Sequence, residues 1–198
     1  RSPSDLQQMN EVDLVINNRS KRDLVKLLMD KLHIPSEPKP SIAHLDIIPA
    51  SLNRNRAMVK IQEGCDQVCA YCIVPKVRGR EKSVPAKSIV MQVNAYDNAG
   101  FREVVLTGTQ LGSYGFDLEG ASITNLVRNI LDKTSIPRIR ISSLQPQDIN
   151  QDLIDLWEDP RLCQHFHLPL QSGNNSVLKR MRRRYTTSEY VRAVDAIR

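Results

Sequence analysis

"AMVKIQEGCDQVCAYC", residues 57 to 72, opens as alternating apolar and polar residues and closes on three cysteines. The alternation over residues 57–62 reads as a β-strand. Glu63 and Gly64 then turn the chain, so Cys65, Cys69 and Cys72 fall in the loop beyond the strand's carboxyl end, the edge where α/β proteins gather their chemistry. Structural zinc takes four closed ligands, commonly as two Cys-x-x-Cys-type pairs. Here there are three thiols, and the next histidine after Cys72 is His165. An electron-carrying 4Fe–4S cluster also takes four thiolates. Three thiolates on four irons would leave one iron open to a ligand. Spacing alone leaves three readings standing: a zinc clip, an electron carrier and a cluster built for chemistry.

Downstream the pattern repeats. "PAKSIVMQVNAYDNAG" (85–100), "ITNLVRNILDK" (123–133), "DINQDLIDLWED" (148–159) and "NNSVLKRMRR" (174–183) read as helices, while "REVVLTG" (102–108), "RIRISSL" (138–144) and "FHLPLQ" (166–171) read as strands. A last helix, "TTSEYVRAVDAIR" (186–198), follows. Four β/α units in succession predict an α/β fold with a parallel sheet, either open or curled into a barrel. Upstream, "EVDLVINN" (11–18) reads as a short strand. "SKRDLVKLLMDKL" (20–32) reads as an amphipathic helix capped by Ser20, with Leu24, Leu27, Leu28 and Leu32 on one face. One strand and one helix cannot bury themselves, so residues 1–33 read as the tail of an α/β domain. Residues 34–56 hold four prolines and read as a linker, which leaves 57–198 as the main domain.

With 198 residues and 40% apolar content the chain can fill a real core. No apolar run approaches the roughly 18 to 20 residues that span a bilayer, and "SPSDLQQMNEVD" is no signal core. A cytoplasmic protein without a membrane partner is expected. Three crowded cysteines suit metal ligation in a reducing compartment better than disulfides, and the distant Cys163 reads as a core thiol. The net charge of +6 attracts polyanions. "KVRGREK" (76–82) and "LKRMRRRY" (178–185) concentrate it and point to nucleic acid. "TGTQLGSYG" (107–115) is no phosphate loop, since no GK[ST] follows; its glycines at 108, 112 and 115 read as letting backbone approach a ligand.

Tyr71, just before the third cysteine, completes a CxxxCxxC pattern with an adjoining aromatic. Together, "VKIQEGCDQVCAYCIVPKVRGRE" (59–81), "EVVLTGTQLGSYG" (103–115), "RIRISSLQP" (138–146) and "HLPLQSGNNSVLKRMRRRY" (167–185) resemble the radical S-adenosylmethionine (SAM) methylthiotransferases, in the family's order. The resemblance implies a partial (β/α) radical SAM barrel preceded by the C-terminal remnant of an α/β N-terminal methylthiotransferase domain. It implies that Cys65, Cys69 and Cys72 hold a 4Fe–4S cluster whose open iron takes the amino and carboxylate groups of SAM. One electron from a donor then cleaves SAM to a 5′-deoxyadenosyl radical. By the same resemblance Tyr71 lies against the adenine, and Thr107, Gly108 and Thr109 meet the methionine amino group. Ser142, with Ser143 beside it, sits at the barrel rim, and His167 and Gln171 line the interior near SAM.

The family carries a second 4Fe–4S cluster on three cysteines of its N-terminal domain, and this sequence has none of them. The opening residues are similar to the end of that domain, and the C-terminal substrate-binding module is also absent, so a fragment is expected. The implied activity is methylthiolation of a tRNA base. "VVLTG", "GSYG" and "RISSLQP" look closer to the branch acting on threonylcarbamoyladenosine beside the anticodon than to the isopentenyladenosine branch; a third branch modifies a ribosomal protein. The rival from another class is a zinc-stabilised RNA-binding module, which would need Cys163 or a histidine to complete its metal shell.

Overall fold

The computed structural model describes residues 3–34 and 55–198, and the chain divides into two compact units, Arg1–His44 and Leu45–Arg198. The linker expected over 34–56 lies almost wholly outside the described residues, and Arg56 already belongs to a strand. In the first unit, helix α1 (Pro3–Gln7) is followed by irregular chain, a 3-10 turn over Asn18–Asp23 and helix α2 (Leu24–Lys31). Two expectations fail here. The cap is Asn17, whose side-chain oxygen accepts from the Ser20 N–H at 2.9 Å and from its hydroxyl at 3.2 Å. That turn is 3-10, so the α-helix proper starts only at Leu24. "EVDLVINN" forms no strand, because a strand exists by pairing and the described residues of this unit supply no second one. Leu24, Leu28 and Leu32 stay exposed.

The second unit carries strands β1 (Arg56–Lys60), β2 (Gln62–Glu63), β3 (Lys82–Ser83), β4 (Glu103–Thr107) and β5 (Ile139–Ile141). Strands β1, β4 and β5 form a parallel sheet in that order, with Val59 opposite Leu106 and Leu106 opposite Ile141. A parallel strand needs cover on both faces, and Val104, Val105 and Leu106 are all buried. Helices α3 (Val74–Arg78), α4 (Ala86–Asn98), α5 (Ile123–Lys133), α6 (Gln151–Ile154), α7 (Asn175–Arg180) and α8 (Thr187–Ile197) complete the unit. Helix α5 buries Ile123, Leu126, Val127, Ile130 and Leu131, the stripe a 3.6-residue period produces. Ser122 caps its start by accepting from the Asn125 N–H at 3.1 Å. Arg161 closes its other end, donating to the Leu131 and Thr134 carbonyls at 2.8 Å each. No helix among the described residues is long and apolar enough to cross a membrane.

The strand expected over 166–171 does not form. Among the described residues parallel pairing beyond β5 is a single bridge between Ile139 and Leu162, and the later segment meets the chain after β5 through one backbone hydrogen bond, the Leu144 N–H to the His167 carbonyl at 3.1 Å. Pro169 has no N–H to give a ladder, and Gln171 takes φ +63°, which ends extended chain. At the amino end of the sheet Glu103 collects Arg56 at 2.8 Å, Arg140 at 2.9 Å and Arg138 at 3.3 Å. Burial alone would raise its carboxyl; the hydrogen bond from Arg140 and the three guanidinium charges hold it below the ordinary value.

Candidate functional site

Residues 64–81 leave the sheet as a loop closed at its stem by β2 pairing antiparallel with β3. Above the stem Asp66 and Glu81 bond reciprocally, each N–H donating to the other's carboxylate at 3.2 Å. Arg80 pairs with Asp66 at 2.9 Å. Gly64 has φ +76°, and a Cβ there would stand 2.0 Å from the Arg80 carbonyl oxygen, so the stem closes only over glycine. The Cys65 N–H donates to the Gly79 carbonyl at 3.2 Å, and the Ala70 N–H reaches the Met181 carbonyl at 3.1 Å, fastening the loop to the end of α7.

Inside this frame Cys65, Cys69 and Cys72 line one pocket of about 250 Å³, together with Tyr71, Thr109, Ser143, Gln171 and Arg183. All three thiols are free and half-buried. Burial pushes the Cys65 thiol up; the Gln67 N–H opposes this, and Glu81, Cys69 and Cys72 add to it. A thiolate here therefore wants a cationic centre beside it. Among the described residues no three His, Cys, Asp or Glu side chains close on a point that would hold one metal ion. Two buried side-chain polar atoms among the described residues lack a hydrogen-bond partner, Thr109 Oγ1 and Arg183 Nε. Both belong to residues of this pocket, and leaving such atoms unpaired is costly unless a ligand meets them. The Tyr71 hydroxyl donates to Gln171 Oε1 at 3.1 Å and is touched by Arg183 Nη2.

The other expected residues stand outside the pocket. Thr107 is held in the sheet, its hydroxyl donating to the Val59 carbonyl at 3.2 Å. At Gly108 the room for a side chain is filled by Leu111 and Gln62, and at Gly112 by the Asp148 carboxyl, 1.9 Å from a built Cβ. Packing of protein on protein by itself requires glycine at these two positions. Ser142 donates its N–H to the Leu106 carbonyl at 3.2 Å, while the neighbouring Ser143 hydroxyl meets His167 Nδ1 at 2.8 Å. His167 itself lines a separate groove with Trp157 and Phe166. Cys163 is buried at the opposite end of the sheet, its N–H on the carbonyl of Ile139, the first residue of β5.

Four buried glutamines, absent from the expected set, bind the loops together. Gln62 accepts the N–H groups of Thr109 at 2.9 Å and Gln110 at 3.0 Å and donates to the Gly64 carbonyl at 2.9 Å. Gln145 donates to Gln67 at 3.2 Å and to Gln110 at 2.5 Å. The loops after β1, β4 and β5 are thus one hydrogen-bonded body. Behind them a cavity of about 550 Å³, lined by Asp66, Glu81, Asp117 and Asp148, shares Gln67 and Gln110 with the cysteine pocket.

Residues 59–198 match the model of the radical SAM superfamily. The chain is 37% identical over 207 residues to the threonylcarbamoyladenosine tRNA methylthiotransferase MtaB of Aquifex aeolicus, covering 99% of this chain and 50% of that protein. It is 35% identical over 202 residues to a tRNA-2-methylthio-N(6)-dimethylallyladenosine synthase of Syntrophobacter fumaroxidans, covering 98% and 44%. The chain spans about half the length of these curated relatives. Among solved structures, the apo form of the cobalamin-dependent SAM radical enzyme OxsB superposes with a TM-score of 0.60 at 13% identity, covering 89% of this chain and 30% of that one. The radical SAM methyltransferase TsrM of Kitasatospora setae gives 0.54 at 18% identity, covering 71% and 28%. These likenesses bear on the fold.

Proposed function

The chain belongs to the radical SAM superfamily, and from that membership we propose that it is the core of a tRNA methylthiotransferase, an enzyme that replaces a C–H bond of a modified adenosine with a methylthio group. Threonylcarbamoyladenosine is the base we favour, on the strength of the Aquifex relative matched along nearly the whole chain. The Syntrophobacter relative supports dimethylallyladenosine as the second reading. Action on tRNA makes the cytoplasm its place of work.

The observation that carries the reading is three free thiols around one pocket, beyond the carboxyl end of a parallel strand, with two unpaired polar atoms on its walls. In this reading Cys65, Cys69 and Cys72 hold a 4Fe–4S cluster, and Tyr71, Thr109, Gln171 and Arg183 bound the ligand space beside it. When bound, the cluster and SAM supply the one-electron cleavage that starts radical chemistry. The β2–β3 stem fixes the loop, the glutamines lock it to its neighbours, and Tyr71 offers an aromatic face to an adenine. Thr107, Gly108, Ser142 and His167 act as the supporting layer. The zinc-module rival is disfavoured because Cys163 sits at the wrong end of the sheet to complete a shell.

Exposed Lys76, Arg78, Arg180 and Arg182 are suited to tRNA phosphates, and an electron donor is the second partner. The four cysteines of the sequence leave no triad for a second cluster, so SAM cleavage, and not sulfur transfer, is expected of this chain alone. Anaerobically reconstituted, reduced protein should convert SAM to 5′-deoxyadenosine and methionine, read by mass spectrometry. SAM left untouched by a chain carrying its full iron complement would contradict the proposal.

A further inference from the structure

Three of the buried glutamines, Gln67, Gln110 and Gln145, meet at one point, and their hydrogen bonds give the meeting a direction. The Gln145 side-chain nitrogen donates to Gln67 Oε1 at 3.2 Å and to Gln110 Oε1 at 2.5 Å, while its oxygen accepts from Gln147 at 2.9 Å. Turned over, the same amide would set its oxygen against two others, so one orientation alone satisfies it. The Gln145 backbone is fixed as well, its N–H donating to the Asp148 carboxylate at 2.8 Å.

Gln67 is 7% exposed and stands two residues beyond Cys65. Its backbone N–H donates to Cys65 Sγ at 3.4 Å, and among the described residues no other hydrogen bond reaches a sulfur of the cysteine pocket. Sulfur is a weak acceptor, so this bond lasts only while residue 67 is kept from turning away. Gln145, in the loop after β5, is the group that keeps it there, through the side chain on the far side of the same residue. Hydrogen bonds to ligand sulfurs are among the features that set the potential of an iron–sulfur cluster. Reduction adds one electron and hence one negative charge, which a donor aimed at a ligand sulfur favours.

We propose that Gln145 is a positioning residue for cluster reduction: through Gln67 it holds an N–H on Cys65 Sγ and raises the potential at which the cluster takes up its electron. The inference rests on the reading of the cysteine pocket as the cluster site.

Two measurements test it, one on the loaded chain and one on the iron-free chain. Gln145→Met and Gln67→Met keep the shape of the side chain and remove its amide. The reconstituted proteins are reduced stepwise with dithionite under potentiometric control and followed by EPR. Either variant should shift the reduction equilibrium about tenfold toward the oxidised form, the scale of one hydrogen bond, which for one electron is about 59 mV more negative. The double variant should shift it no further, since both changes break the same link, and iron content should be unaltered. In the iron-free chain, exchange of the Gln67 amide hydrogen, read by NMR, should speed up about tenfold in Gln145→Met, with the amides of Val104, Val105 and Leu106 unchanged. A potential that stays put in both variants overturns the proposal, and so does a double variant whose shift is the sum of the two. Should a variant shed its iron, the exchange measurement decides: a Gln67 amide as protected in Gln145→Met as in the parent overturns it. A parent chain that takes up no iron brings down the cluster reading and the proposal with it, a result distinct from the others.

Discussion

At Gly64 a methyl group has nowhere to go. A Cβ would meet the Arg80 carbonyl at 2.0 Å, and the residue holds φ +76°, so substitution adds a backbone clash to a conformation that side chains resist. Gly64→Ala should lower stability by about 2–3 kcal/mol, and it should do so by parting the β2–β3 stem. Thermal melting reads the first effect and iron content after reconstitution the second; full stability with full iron would contradict this account of the loop. The cysteines themselves were legible because their spacing is local, and Tyr71 with them. The glutamines were not. Gln62, Gln67, Gln110 and Gln145 are scattered through the sequence, and only the meeting of three loops at one sheet edge makes them neighbours.

Among the elements, β4 carries both the apolar centre of the sheet and, at its amino end, the buried carboxylate Glu103. Its partner Arg56 is set directly opposite by the β1–β4 register. Because the folded-state carboxyl lies below its ordinary value, its contribution to stability is complete above the unfolded-state pKa, about 4.3. It is lost as pH falls through the lower folded value. Glu103→Gln should therefore cost about 2 kcal/mol at neutral pH, a discounted figure because Arg56 and Arg138 are more than half exposed. Melts of the two proteins should draw together between about pH 5 and pH 3. A gap that stays constant over that range would contradict the assignment. Helices α4, α5 and α8 were readable from the sequence, since period and caps act within a few residues. The segment 166–171 was not, because alternation states which side chains would share a face and says nothing about whether a neighbouring strand is in reach. Strands β2 and β3 are two residues each, too short to leave a periodic signal.

On the scale of the molecule, the parallel arrangement of β1, β4 and β5 brings the loops after all three strands to one edge, and the cysteine pocket lies there. Cys163 lies at the other. That separation makes the ligand assignment directly testable by anaerobic reconstitution with iron and sulfide, with iron, sulfide and zinc counted per folded chain. The account predicts about four irons in the parent and in Cys163→Ala, and no cluster in a Cys69→Ala variant whose circular dichroism is otherwise preserved. Tight stoichiometric zinc with no iron uptake, or iron lost in Cys163→Ala and kept in Cys69→Ala, would contradict it.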